Sequence, residues 1–286
     1  MGSRRLWISM LTRNTEESGT DSAVRLTITV RGIDVVDRLL SSEDQADQSR
    51  AEANIYSLDL KRNQPNVADL DDNSFRIGVR GDDAWRPEHI FLWLEEKSFF
   101  TFRRTVVPLA MEMDIQSTLS TDANEGAASL PLRLIGSGDR SMVVRRILIL
   151  PLTHGDADTG PFIIGNPVFG TKDPLRVQIR SKDGTVRTFR IAGTSQTDLT
   201  TGWANFYTAI VDSPFARADL DRNAITLTVE GKDSWQPEGL FIFGLNETAG
   251  RPSLAIPLVH VPKWNLGFLK EDATTGAIPT VQLPLS

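Results

Sequence analysis

The sequence predicts an all-β protein of two tandem antiparallel β-sandwiches with little helix. Three observations carry this expectation. The first is the length of 286 residues, too long for one ordinary core and suited to two domains of roughly 100 to 150 residues each. Another is the recurrence of short runs in which apolar and polar residues alternate, the signature of half-buried strands. The third is an internal repeat. Residues 68–91 read ADLDDNSFRIGVRGDDAWRPEHIF and residues 218–241 read ADLDRNAITLTVEGKDSWQPEGLF. They align without a gap at an offset of 150, with 12 of 24 positions identical.

The repeat continues to either side. Downstream, Val107-Pro108-Leu109 matches Ile256-Pro257-Leu258, and the segment from Leu119 to Ala127 matches that from Leu269 to Ala277. Upstream, Gly19-Thr20-Asp21-Ser22-Ala23-Val24 parallels Gly170-Thr171-Lys172-Asp173-Pro174-Leu175. Nearly the whole chain is therefore duplicated. The join falls at Ile135-Gly136-Ser137-Gly138-Asp139, a turn-forming stretch, which predicts domains at 1–138 and 139–286.

Taken in order, Val24, Leu26, Ile28 and Val30 alternate with Arg25, Thr27, Thr29 and Arg31, and Leu175, Val177 and Ile179 do the same in the second copy. Phe75, Ile77 and Val79 pair in pattern with Ile225, Leu227 and Val229. The runs 90–94 and 240–243 are continuously apolar, as strands covered on both faces are. Arg145–Leu150 opens the second copy in the same style. The stretch from Val35 to Ser49 suits one short helix, and residues 203–212 suit helix and strand equally.

Composition narrows the chemistry. With no cysteine there are no thiol nucleophiles, disulfides or thiolate zinc sites. Residues 1–140 hold 17 Lys or Arg against 23 Asp or Glu, whereas 141–286 hold 14 of each. An acidic half beside a neutral one lacks the basic face that phosphate backbones require, so nucleic acid is not an expected partner. Arg4 and Arg5 precede an apolar run that ends at Thr12-Arg13, shorter than a secretory signal's, and no stretch reaches the roughly 20 apolar residues of a membrane span. A soluble chain of cytoplasmic synthesis is expected. The histidines, His89, His154 and His260, fall at no position that is histidine in both copies, and none lies in a metal or serine-elbow motif. No catalytic residue is assigned, and the chain reads as a non-enzyme.

Each copy carries Gly-x-Asp-x-Trp-x-Pro-Glu between two strands: Gly81, Asp83, Trp85, Pro87 and Glu88, then Gly231, Asp233, Trp235, Pro237 and Glu238. Glycine frees the turn, aspartate caps it, proline fixes entry into the next strand, and tryptophan plugs the end of a sandwich. A ligand-stacking tryptophan is the other reading.

The Gly19-Thr20-Asp21-x-x-Val24-x-Leu26 element, the spacing of Leu70 and Leu220, and the Trp corners together resemble the PLAT/LH2 family. That resemblance implies eight-stranded sandwiches that bind membranes, lipids or protein partners, at times with calcium in their loops, and that carry no chemistry of their own. Lys172 stands where the first copy has Asp21, so a calcium role for Asp21 would belong to one copy. Calcium is the one cofactor to weigh. Asp69-x-Asp71-x-Asn73 and Asp219-x-Asp221-x-Asn223 alternate oxygen ligands as the front of an EF-type loop does, but position six is Ser74 or Ala224 and position twelve Arg80 or Glu230. An Asx turn explains the same residues.

For a contact surface the sequence offers Phe99, Phe100 and Phe102 beside Lys97, Arg103 and Arg104, apolar side chains among cations as at an anionic interface. One more strand is the competing reading. The functional expectation is a non-catalytic tandem β-sandwich binding a lipid surface or a protein partner. Two alternatives stay open. One is a structural subunit or homo-oligomer within a larger assembly, such as a phage tail or contractile injection particle. The other is a carbohydrate-binding module using exposed tryptophans.

Overall fold

The computed structural model describes the chain apart from residues 1–2, 41–47, 61–64, 99–100, 102, 154–170, 172, 192–198, 200–203, 232–233, 249 and 271–277. Two compact units emerge: residues 1–137 with 249–255, and residues 138–248 with 256–286.

In the first unit the strands are β1 (Ser3–Thr12), β2 (Ala23–Val30), β3 (Ile33–Leu39), β4 (Ala53–Leu60), β5 (Phe75–Arg80), β6 (Pro87–Lys97), β7 (Arg104–Glu112), β8 (Ser129–Leu132) and the short β9 (Gly136–Ser137). They form two sheets, ordered β4-β1-β6-β7 and β3-β2-β5-β8. Between the sheets lie Leu6, Ile8 and Met10 of β1, Ile90, Leu92 and Leu94 of β6, and the predicted inward sets Val24, Leu26, Ile28 and Phe75, Ile77, Val79. The period of two places these side chains on one face, and their burial, at ~1.5–3 kcal/mol for a Leu, Ile or Phe, holds the sheets together.

The second unit continues with β10 (Val143–Thr153), β11 (Leu175–Ser181), β12 (Val186–Ile191), β13 (Tyr207–Ala216), β14 (Leu220–Val229), β15 (Pro237–Leu245), β16 (Leu254–Val261) and β17 (Thr280–Leu283). Its sheets run β13-β10-β15-β16 and β12-β11-β14-β17, and the first two residues of β16, Leu254 and Ala255, belong to the first unit and pair there with β9. Strand for strand this is the order of the first unit, and the pairings are antiparallel apart from the parallel match of Leu254 with Gly136. The continuous apolar runs occupy β6 and β15, which are buried on both faces: Phe91 and Trp93, like Phe241 and Phe243, are fully inaccessible.

One local expectation is corrected and one open alternative is resolved. Val35–Leu39 belongs to strand β3 rather than a helix, paired to β2 with Ile28 opposite Val36. The hairpin turn that forces this pairing is Arg31-Gly32, both with positive φ, 51° and 79°, a two-residue turn whose twist matches its flanking strands. Residues 207–216 resolve as strand β13, with Tyr207 opposite Ile149, because aromatic and β-branched side chains find neighbours on the sheet. The apolar run after Arg5 is core strand β1. Among the described residues, no helix is long and apolar enough to cross a membrane.

Candidate functional site

The repeated corner shares its tryptophan bonds in both units. Trp85 and Trp235 are wholly buried, and each indole N–H donates to a threonine hydroxyl at 3.0 Å, Thr12 in one unit and Thr153 in the other. Each tryptophan also exchanges two backbone hydrogen bonds of 2.8 Å with a leucine, Leu119 or Leu269. Pro87 and Pro237 open the next strand opposite those threonines, where the register shifts by a bulge. Gly81 and Gly231 have φ of 145° and 153°, and a side chain there would strike Ser22 or the Asp173 carboxylate, so both positions require glycine. Asp83 caps the turn, its carboxylate accepting from the Asp21 amide at 2.9 Å while its own amide donates to the Ser22 hydroxyl at 3.0 Å. Asp173 takes the place of Ser22: the Asp173 amide donates to Thr171 Oγ1 at 2.9 Å as Ser22's does to Thr20 Oγ1 at 3.0 Å. Asp233 lies outside the described residues. These tryptophans form the corner of a core and present no face for stacking.

Thr12 and Thr153 escaped the sequence reading because they sit 141 residues apart, not 150, the loops that follow them differing in length. The available signal was that each ends the first apolar strand of its copy.

Of the residues weighed for calcium, Asp71 and Asp219 act in turns. Asp71 accepts from the Asn73 amide at 2.9 Å and from the Ser74 hydroxyl at 3.2 Å, an Asx turn into β5. Asp69 pairs with Arg31 at 3.1 Å. Asp219 accepts from the Ala216 amide at 2.8 Å and closes a single 3-10 turn ahead of β14, whereas Asp221 is exposed on that strand. Asp21 contributes its amide to the corner. Among the described residues no three His, Asp or Glu side chains gather as a metal would need.

Phe99, Phe100 and Phe102 lie outside the described residues. Around them, the Ser98 amide donates to the Arg103 carbonyl at 2.9 Å, closing the connection from β6 to β7, and Arg104 pairs with Glu95 at 3.4 Å.

The two units part company in the loop that leads from β7 or β16 to the corner leucine. In the first unit the Ile115 amide donates to the Glu88 carbonyl at 3.0 Å; in the second, Trp264 makes the same bond to Glu238 at 2.7 Å. Trp264 thus replaces Ile115, which is buried. Three residues then separate Ile115 from Leu119, but four separate Trp264 from Leu269, and the longer loop turns at Gly267, with φ 79°. The Trp264 indole donates to the Gly267 carbonyl at 2.8 Å, so its polar edge is satisfied within the loop. Phe268 stands where the first unit has Thr118, and Ile278 where it has Ala127, as the matching bonds Ala127 to Thr118 (3.0 Å) and Ile278 to Phe268 (3.1 Å) show. Leu266 is 40% exposed and Ile278 36%, while Trp264 and Phe268 are half-buried. Lys263 and Lys270 flank the apolar group, and residues 262–270 contain no acid.

The first unit's loop is polar and tied down. Arg13 donates to the Ile115 carbonyl and to Gln116 Oε1, and the Asp114 amide donates to His89 Nδ1 at 3.2 Å. Burial holds the Glu88 carboxyl above its usual range, with Arg13 pulling it down and Asp114 pushing it up. Gly239 occupies the position of His89 in the second unit. Sequence reasoning missed the 262–270 loop; the visible signal was Trp264, Leu266 and Phe268 between two lysines.

No protein-family model matches the chain, and no curated protein does. Among solved structures, alpha toxin from Clostridium absonum is similar at a TM-score of 0.37 and 14% identity, over 51% of this chain and 32% of the toxin. Clostridium perfringens alpha-toxin from the avian strain SWCP is similar at a TM-score of 0.31 and 16% identity, over 42% of this chain and 30% of the toxin. The chain spans about a third of the length of these toxins.

Proposed function

We propose that the chain is a non-catalytic tandem β-sandwich module that binds a lipid surface, with the 262–270 loop of the second unit as its contact. The observation that carries this reading is the apolar group of Trp264, Leu266 and Phe268 between Lys263 and Lys270, with Leu266 exposed, where the sister copy has the buried Ile115 and the polar Thr118. Trp and Phe favour the boundary between headgroups and acyl chains, where an apolar ring and a polar edge are both satisfied. Each lysine near an anionic leaflet adds about 1 kcal/mol, and the repulsion from the chain's net charge of -6 is screened beyond roughly 10 Å. The loop is anchored by the Trp235–Leu269 backbone pair, so little ordering is left to occur on binding. The resemblance of the early strand and corner to PLAT/LH2 domains agrees with this reading.

Co-sedimentation of the full chain with phosphatidylcholine vesicles, with and without phosphatidylserine, tests it. Binding that strengthens with phosphatidylserine is expected, along with its loss on Trp264→Ser/Leu266→Ser. Because Asp71 and Asp219 cap turns and Asp69 pairs with Arg31, adding calcium or a chelator should leave binding unchanged. Wild-type chain remaining in the supernatant with both vesicle types overturns the proposal.

A further inference from the structure

The first unit holds a second feature, independent of that loop and on another part of the chain. The outer face of sheet β3-β2-β5 and the Asx turn before β5 enclose an open polar cleft of about 580 Å³, within the range of small-molecule sites. Its walls carry Arg25, Arg76, Thr27, Asn73, Asp34 and Asp71, among others. Most charges there are committed. Arg25 grips Asp37 with two donors, Arg31 pairs with Asp69 at 3.1 Å, Asp34 accepts from the Thr29 hydroxyl at 2.7 Å, and Asp71 is held by its own turn. Arg76 is the exception. It stands on the middle strand β5 directly opposite Thr27, is exposed, and has no carboxylate partner among the described residues.

We infer that this cleft binds a small hydroxylated carboxylate, a sugar acid in chemical class, with Arg76 as the anchor. A planar guanidinium with both edges available matches a carboxylate as a two-point fork. With Arg25 held by Asp37 and Arg31 by Asp69, Arg76 is the one arginine of the lining without an ion-pair partner among the described residues, and the lining also holds Asp34 and Asp71. A monocarboxylate meets that single cation with one charge, whereas a phosphate dianion would place a second negative charge beside the two aspartates. Thr27, the Asn73 amide and the two aspartates supply the mixed donors and acceptors that sugar hydroxyls need. Among the described residues the second unit shows no equivalent arginine. Thr226 replaces Arg76, and Glu230 bridges Arg176 and Arg190 at 3.1 and 2.9 Å, closing that face on itself.

Titration of the full chain with sodium glucuronate, followed by saturation-transfer NMR, tests the site, with glucose and inorganic phosphate as parallel arms. Saturable binding of glucuronate is expected with Kd on the order of 1 mM, along with weaker binding of phosphate and none of glucose. Arg76→Gln should weaken glucuronate at least about tenfold, and Arg76→Lys should fall between. Because Arg76 is exposed, both variants should keep the wild-type melting temperature, which makes their loss of binding interpretable. No saturation with glucuronate, equal binding of glucose, tighter binding of phosphate, or unchanged binding by Arg76→Gln would each overturn the inference. Vesicle binding plays no part in these outcomes.

Discussion

The loops at 112–119 and 262–269 leave equivalent strands and end on the same tryptophan-bonded leucine, yet one is polar and tethered and the other apolar and presented. In the first, Arg13, His89 and the Asp114 amide spend the loop's polar groups on the unit itself. In the second, Gly239 stands where the first unit has His89, Trp264 takes the place of Ile115, and Leu266 is left to solvent. The comparison teaches that after duplication the corner is the part fold stability holds fixed, since it is buried and satisfies its own donors. The loop above it is free to acquire a separate task.

The widest test of the shared corner is Trp85→Ala against Trp235→Ala. Each should cost about 3–5 kcal/mol by denaturant unfolding, with spectroscopic loss confined to its own unit. A cost under about 1 kcal/mol at either position would break the equivalence. Next in size, Thr12→Val and Thr153→Val each strand a buried indole N–H and should cost about 1–3 kcal/mol, read by the same melts. Unequal costs would show that only one threonine supports its corner.

The loop comparison is sharpened by giving the second unit the first unit's residues. Trp264→Ile with Leu266→Ser should lower vesicle partitioning by at least about tenfold, or ~1.4 kcal/mol, while leaving the melting temperature within a few degrees. The smallest effect concerns Glu88. Its folded-state carboxyl is raised by burial, so the stability it contributes is full below its ordinary value of 4.5 and is lost as pH rises through the raised folded value. Glu88→Gln should remove that decline in thermal melts recorded from pH 4 to 7. A wild-type profile as flat as the variant's would show Glu88 to be better solvated than its position implies.

Much of the fold was legible because strand alternation has a period of two and a duplicated sequence states its pattern twice. The Asx turn at Asp71 was equally readable, since the carboxylate and the amide it bonds lie two residues apart. The helix expected at Val35–Ser49 failed over Val35–Leu39 for a physical reason: that stretch takes its conformation from pairing with β2, a partner outside any local window. Arg76 gave no signal, being one arginine in an alternating strand, until register placed it across from Thr27 with no ion pair among the described residues.

By itself, then, the sequence determined the all-β class, the duplication, and the corner at Trp85 and Trp235, because local periodicity and a repeated turn chemistry suffice for these. Tertiary structure alone decided which threonine each tryptophan bonds, which carboxylates are consumed as caps, and which of two homologous loops leaves its apolar residues in water. Those outcomes rest on contacts between residues far apart in the chain, where loops of unequal length erase the register that sequence comparison can follow.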